Sequence, residues 1–98
     1  MDISYDPAKN AHNIARHGIA MERALEFDWD DALVTEDIRR DYGERRNRAL
    51  GYIALRLHML VYTPRSGRIH VISLRKANKR EVRRHAEETK AKTHTNGS

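Results

Sequence analysis

Ile69-His70-Val71-Ile72-Ser73-Leu74-Arg75-Lys76-Ala77-Asn78-Lys79-Arg80-Glu81 decides how this chain is read. An apolar run ends in two cations, and a helix-start signal follows at once. A β-strand through the run rises about 3.3 Å per residue and stops where the charges begin. Asn78, with Glu81 three residues on, has the pattern of a capping box that opens the next helix. Arg75, Lys76, Lys79 and Arg80 therefore converge on one strand-to-helix corner. Such a corner suits phosphate, because cations neutralise its charge and helix N-terminal amides add donors. A solvated basic turn is the bland alternative.

Upstream, the segments 48–55, 57–63 and 68–75 read as β-strands. Pro64-Arg65-Ser66-Gly67 joins the last two by a tight hairpin, so an antiparallel meander is expected. Ile3-Ser4-Tyr5 reads as a brief edge strand. Asp6-Pro7 has the form of a helix cap and first turn, and Gly18 that of a left-handed stop. Ala8, Ala11, Ile14 and Ala15 lie between them at helical spacing and form the expected buried face. A second short helix is expected from Met21 to Phe27, a loop over Asp28–Asp31, and a strand over Ala32–Thr35. The last helix is expected from Lys79 to about Lys90, with a thin apolar stripe of Val82 and Ala86. Residues 1–92 read as a single α+β domain and 93–98 as a flexible tail.

The 98 residues suffice for one core, and a chain of this length buries roughly 60–65% of its unfolded surface. No apolar run approaches the roughly 20 residues that span a bilayer. No signal peptide is visible, and cysteine is absent, which excludes disulfides and thiolate zinc sites. These features fit a cytoplasmic protein that does not engage membranes. The net charge of +5 is unevenly spread. Residues 1–37 hold three Lys and Arg against nine Asp and Glu, a net of −6. Residues 38–98 hold sixteen against five, a net of +11. The basic two-thirds is the part expected to meet an anion.

Several motifs, in order and spacing, resemble the BrnT family of bacterial toxins. They are Tyr5-Asp6-Pro7-Ala8-Lys9, Asn13-Ile14, Arg16-His17-Gly18-Ile19, Glu22, Ala24 and Phe27-Asp28. They continue with Asp41-Tyr42-Gly43-Glu44, Arg46, Gly51, Ile72-Ser73, Arg75-Lys76-Ala77 and Lys79-Arg80-Glu81. The resemblance implies a RelE-like fold, with N-terminal helices packed on a small antiparallel β-sheet and a C-terminal helix after it. It also implies an endoribonuclease that inhibits translation, neutralised by a BrnA-like ribbon-helix-helix antitoxin and reaching operator DNA only through that complex. The chain departs from the family pattern at Met21, Asn47, His70, Leu74 and His85. Those at His70 and His85 fall near the presumed active surface.

Cleaving RNA without a metal requires activating a ribose 2′-hydroxyl, stabilising an anionic phosphorus and protonating the leaving oxygen. Arg75 first and Arg46 second are the candidates for gripping the phosphate, since guanidinium offers bidentate geometry. His17 and Glu81 complete the candidate catalytic set, although His17 also suits a helix C-cap and Glu81 its capping box. Glu44 is a candidate for orienting Arg46. Lys76, Lys79 and Arg80 are the candidates for flanking RNA phosphates. Strand alternation puts His70 on the face opposite Arg75 unless the strand twists or bulges. Tyr52 and Tyr62 suit either base stacking or packing, and Trp29 either the core or an antitoxin contact. The histidines are scattered and no His-Glu-x-x-His motif occurs, so neither metal nor cofactor is expected. A non-catalytic nucleic-acid-binding module, or a co-repressor subunit acting with an antitoxin at DNA, accounts for the same charge pattern.

Overall fold

The computed structural model describes residues 2–96, with side chains described to Lys90. Its elements run β1 (Ile3–Ser4), α1 (Pro7–His17), a 3₁₀ segment (Met21–Glu26), β2 (Asp28–Glu36), β3 (Asn47–Ile53), β4 (Arg56–Arg65), β5 (Arg68–Lys76) and α2 (Lys79–Asn96). The sheet order is β1-β5-β4-β3-β2. β2 to β5 form the expected antiparallel meander, but β1 runs parallel to β5, pairing Ile3 with Ile69 and Ser4 with His70. The sheet is therefore mixed, and a strand precedes the first helix.

Local chemistry explains the boundaries. The Asp6 carboxylate accepts from the Ala8 N–H at 2.8 Å to start α1, and Gly18 closes it at φ 73°. The β4–β5 turn is Ser66-Gly67, both at positive φ, a pairing that suits the twist of a two-residue hairpin. Pro64 lies in β4 beyond Tyr62, which pairs Asn47 at the start of β3, so its missing N–H leaves no bond to β3 unmade. The Asp28–Asp31 stretch expected as a loop belongs to β2. Its pairing with β3 shifts register between Asp28 and Leu33, which absorbs the acidic residues without burying them. The second short helix is a 3₁₀ turn ending at Glu26.

The core lies mainly on one face of the sheet. Ile19, Met21, Ala24 and Phe27 cover Ala49, Leu60, Tyr62, Val71 and Leu74. Trp29 packs edge-on against Phe27 (4.8 Å between ring centroids) and Tyr62 (5.4 Å), so its place is beside the core. A smaller cluster of Leu50, Leu57, Met59 and Ala77 occupies the other face, where α2 crosses.

Both helices dock by the side that periodicity did not select. Ala8, Ala11, Ile14 and Ala15 are exposed, and Asn13 is the buried residue of α1 at 4% exposure. Its Nδ2 donates to the Ile19 carbonyl (2.8 Å) and the Leu74 carbonyl (2.9 Å), and its Oδ1 accepts from the Leu74 N–H (3.2 Å). β1 ends beside His70, so Asn13 serves the β5 edge where a neighbouring strand is missing. In α2, Val82 and Ala86 are exposed, while Glu81 and His85 are buried and Thr89 is half-buried. The His85 Nε2 lies 2.8 Å from the Asp31 carbonyl and its ring stands edge-on to Tyr52. α2 also continues past Lys90 to Asn96. Of the expected tail, Gly97 and Ser98 lie outside the described residues, as do the side chains of 93–96.

Candidate active site

The end of β5 is fixed before its charges are placed. Ala77 is buried and its N–H bonds the Leu57 carbonyl (3.0 Å), pinning the corner to β4. Asn78 and Glu81 then form the capping box: the Glu81 N–H donates to Asn78 Oδ1 (2.8 Å) and the Asn78 N–H to Glu81 Oε1 (2.9 Å). That box turns the Glu81 carboxylate back over the strand end. Arg75 meets it with two parallel bonds, Nη1 to Oε1 at 2.8 Å and Nη2 to Oε2 at 2.9 Å, and Arg48 Nη2 stands 3.8 Å from Oε2. Arg75's hydrogen bonds hold the Glu81 carboxyl below its ordinary range. Burial opposes this, and the Asn78 N–H and the Arg75 and Arg48 charges reinforce it. Glu81 is thus a carboxylate at neutral pH, suited to fixing a guanidinium and weak as a proton acceptor.

The ladder corrects the strand parity. Met59 pairs Arg75 and Val61 pairs Ser73, but Tyr62 pairs Val71 and Thr63 pairs His70. The extra residue, Ile72, is a bulge that resets alternation, so His70 and Arg75 share the face opposite the main core. Five residues still separate them by roughly 17 Å at strand rise. His70 contacts Ser4 Oγ (2.9 Å) instead.

The loop 37–46 adds charge on that side. Asp37 is buried, and its carboxylate accepts from Arg39 Nε and Nη2 (both 2.8 Å) and from the Tyr42 hydroxyl (3.1 Å). Arg39 holds its carboxyl far below the usual carboxylate range. The Arg39 charge is felt at Arg75. Arg46 lies over the Tyr42 ring at 4.1 Å, with a buried Nε that has no hydrogen-bond partner. Glu44 does not orient it, since its carboxylate pairs with Arg65 at 3.1 Å.

The seven residues singled out by sequence are divided by the fold. Arg75 and Glu81 touch. Arg46 sits apart from them against the loop, and Lys79 and Arg80 are exposed on the first turn of α2. His17 and Lys76 open onto a cleft of about 560 Å³ on the main-core side. Burial first, then the charges of Arg16, Arg75 and His12, lower the His17 pKa, leaving a neutral imidazole within the field of Arg75. Sequence reading missed Arg48, Arg39 and Asp37. Alternation along β3 places Arg48 on one face with Leu50 and Tyr52, a signal that points to it once β3 is aligned. Tyr52 is partly exposed and Tyr62 is core. Among the described residues no group of three His, Asp or Glu is gathered as a metal-ligand set, and no helix is long and apolar enough to cross a membrane.

A family model described as a ribonuclease toxin, BrnT, of type II toxin-antitoxin systems matches residues 5–81. The match ends on Glu81, the carboxylate that holds Arg75. No curated protein sequence matches the chain.

Proposed function

The chain belongs to the BrnT family of ribonuclease toxins of type II toxin-antitoxin systems, and from that premise we propose that it cleaves RNA by metal-independent transphosphorylation at the Arg75 corner. The observation that carries this reading is the two-point hold of Glu81 on Arg75 at the rigid end of β5. A guanidinium fixed in advance stabilises the crowded phosphorus without reorganising, often the largest contribution to catalysis. The 2′-oxygen bonds to phosphorus as the bond to the 5′-oxygen breaks, leaving a 2′,3′-cyclic phosphate. An RNA strand bent round the outer edge of β5 brings its 2′-hydroxyl from Arg75 to neutral His17 on the other face, which accepts the proton, a role worth about 10²–10⁴-fold, and the 5′-oxygen leaves with a proton from solvent. Glu81 acts through Arg75 as a positioning residue. Arg46 meets a neighbouring phosphate from the loop, and Lys76, Lys79 and Arg80 meet flanking phosphates.

The same reading includes a RelE-like architecture in a single domain over residues 1–92, a cytoplasmic setting, and a BrnA-like ribbon-helix-helix antitoxin through which alone the protein reaches operator DNA. The test incubates antitoxin-free protein with ribosome-free RNA in EDTA, beside Arg75→Ala. Cleavage by the parent alone, with cyclic phosphate ends, is expected. Normal cleavage by folded Arg75→Ala removes Arg75 from the mechanism, and activity restored only by divalent ions removes metal independence. The occupation of both Arg75 terminal nitrogens by Glu81 favours a second reading, a nucleic-acid-binding or co-repressor subunit without chemistry. Intact RNA together with salt-sensitive binding supports it.

A further inference from the structure

We propose that the cleft between the end of α1, the 3₁₀ segment and the β3–β4 turn is a second RNA subsite, which holds the phosphodiester backbone beyond the phosphate at Arg75. It rests on the ribonuclease reading and extends it to substrate positioning. His17, Arg23, Arg56, His58 and Lys76 line the cleft with the turn residues Ala54 and Leu55. Three cations thus share a concavity, and no carboxylate is among the described residues that line it. Glu26 meets Arg23 from outside, in a half-exposed pair that solvent screens.

The two histidines suit sugar and base rather than phosphate. His58 is buried at 5% exposure in the wall of the cleft; its Nδ1 lies 2.8 Å from the Arg56 carbonyl, an acceptor that requires the proton on Nδ1 and makes Nε2 the ring's acceptor for a 2′-hydroxyl or base amino group. Burial lowers the His58 pKa; its bond to the Arg56 carbonyl opposes this, and the charges of Arg23, Arg56 and Lys76 add to the lowering. The cations therefore crowd round a neutral ring.

The cleft adjoins the Arg75 corner across the β5 edge, on the other face of the sheet. His58 pairs Lys76 in the β4–β5 ladder, and Arg75 is the next residue, pointing to the other face. β1 pairs with β5 only at Ile69 and His70 and Asn13 takes the edge groups of Leu74, so among the described residues no strand pairs the outer edge beyond it, at Arg75 and Lys76. An RNA strand crossing that edge passes from Arg75 to Lys76 and on to Arg23 and Arg56. An acidic peptide is less favoured here, because Leu55 is the one exposed large apolar side chain among the described residues lining this cleft, whereas Tyr52 and Val82 gather in the neighbouring cleft on the α2 side.

The test uses a short, fluorescent 2′-O-methyl RNA, which lacks the nucleophilic hydroxyl and is not cleaved. Arg23→Gln/Arg56→Gln is expected to weaken binding about tenfold at about 0.1 M salt and to lower the salt slope by about 0.7 for each phosphate no longer neutralised. Imidazole NMR of the parent gives a readout without substitution: the probe shifts His17 and His58 and leaves His85 unmoved. Unchanged affinity and slope in the folded double variant overturn the proposal. So do shifts confined to His70 and His85, or competition by polyglutamate as effective as unlabelled probe, which marks a peptide site. A parent that cuts RNA while the probe shifts His17 and leaves His58 unmoved keeps the ribonuclease and loses this subsite. A parent that binds the probe here and cuts nothing keeps the subsite and loses the ribonuclease.

Discussion

Replacing Asn13 tests the attachment that holds α1, and with it His17, against the β5 edge. Its amide makes three buried bonds, to the Ile19 carbonyl and to both backbone groups of Leu74. Asn13→Ala orphans all three backbone groups. An unsatisfied buried group costs about 1–3 kcal/mol, and water at the open β5 edge brings each towards the low end. The expected loss is about 3 kcal/mol, a large share of the roughly 5–15 kcal/mol that hold a domain together. Melting should then fall by more than about 10 °C in a chain of this size. Asn13→Asp gives a sharper contrast. It keeps the acceptor for the Leu74 N–H but aims a carboxylate at two carbonyls, so it should be the worse variant at neutral pH and recover as the pH falls. Urea unfolding followed by circular dichroism measures both. A loss under about 1 kcal/mol for Asn13→Ala, or a milder Asn13→Asp at neutral pH, would refute the three-bond account.

Gly51→Ala places a Cβ against the Phe27 ring and 3.0 Å from the Asp28 carbonyl oxygen, so a loss of about 1–3 kcal/mol is expected in thermal melts; a wild-type midpoint would show that Phe27 moves freely. Glu81→Gln keeps a capping side chain but removes the charge facing Arg75, so single-turnover cleavage should fall while the fold holds. An unchanged rate would reduce Glu81 to a helix cap. His17, His58 and His70 all titrate below the ordinary histidine value, so the unfolded chain binds their protons more readily than the folded one. Their stabilisation is full above about pH 6.5 and is lost as the pH falls through their folded values. Asp37 and Glu81, also held low, add a second decline below about pH 4.5. Urea midpoints from about pH 8 to about pH 3 should step down twice, and a flat profile would contradict both sets of shifts.

What could be read without a structure was local. The Asp6 cap, the Gly18 stop, the Asn78–Glu81 box and the three strands of the meander depend on neighbours a few residues apart, and each stands close to where the pattern put it. Helix faces depart from the periodic pattern for a specific reason. Periodicity assumes that a helix buries apolar side chains, yet α1 meets an open strand edge and α2 a strand carbonyl. Those surfaces present backbone groups that demand partners, so Asn13 and His85 turn inward and Ala11, Ile14, Val82 and Ala86 stay out.

The chain alone determined a small basic α+β domain, its family likeness, and a cation-rich strand-to-helix corner, because composition and short-range capping are written in consecutive residues. Only tertiary structure decided which cations act together. The Ile72 bulge returned His70 to the face of Arg75, Glu81 bound that arginine, Arg48 arrived from β3, and His17 and Lys76 opened onto a different cleft. Each depends on register between segments distant in sequence. A one-residue shift in a strand exchanges its two faces, and no local pattern records where that shift occurs.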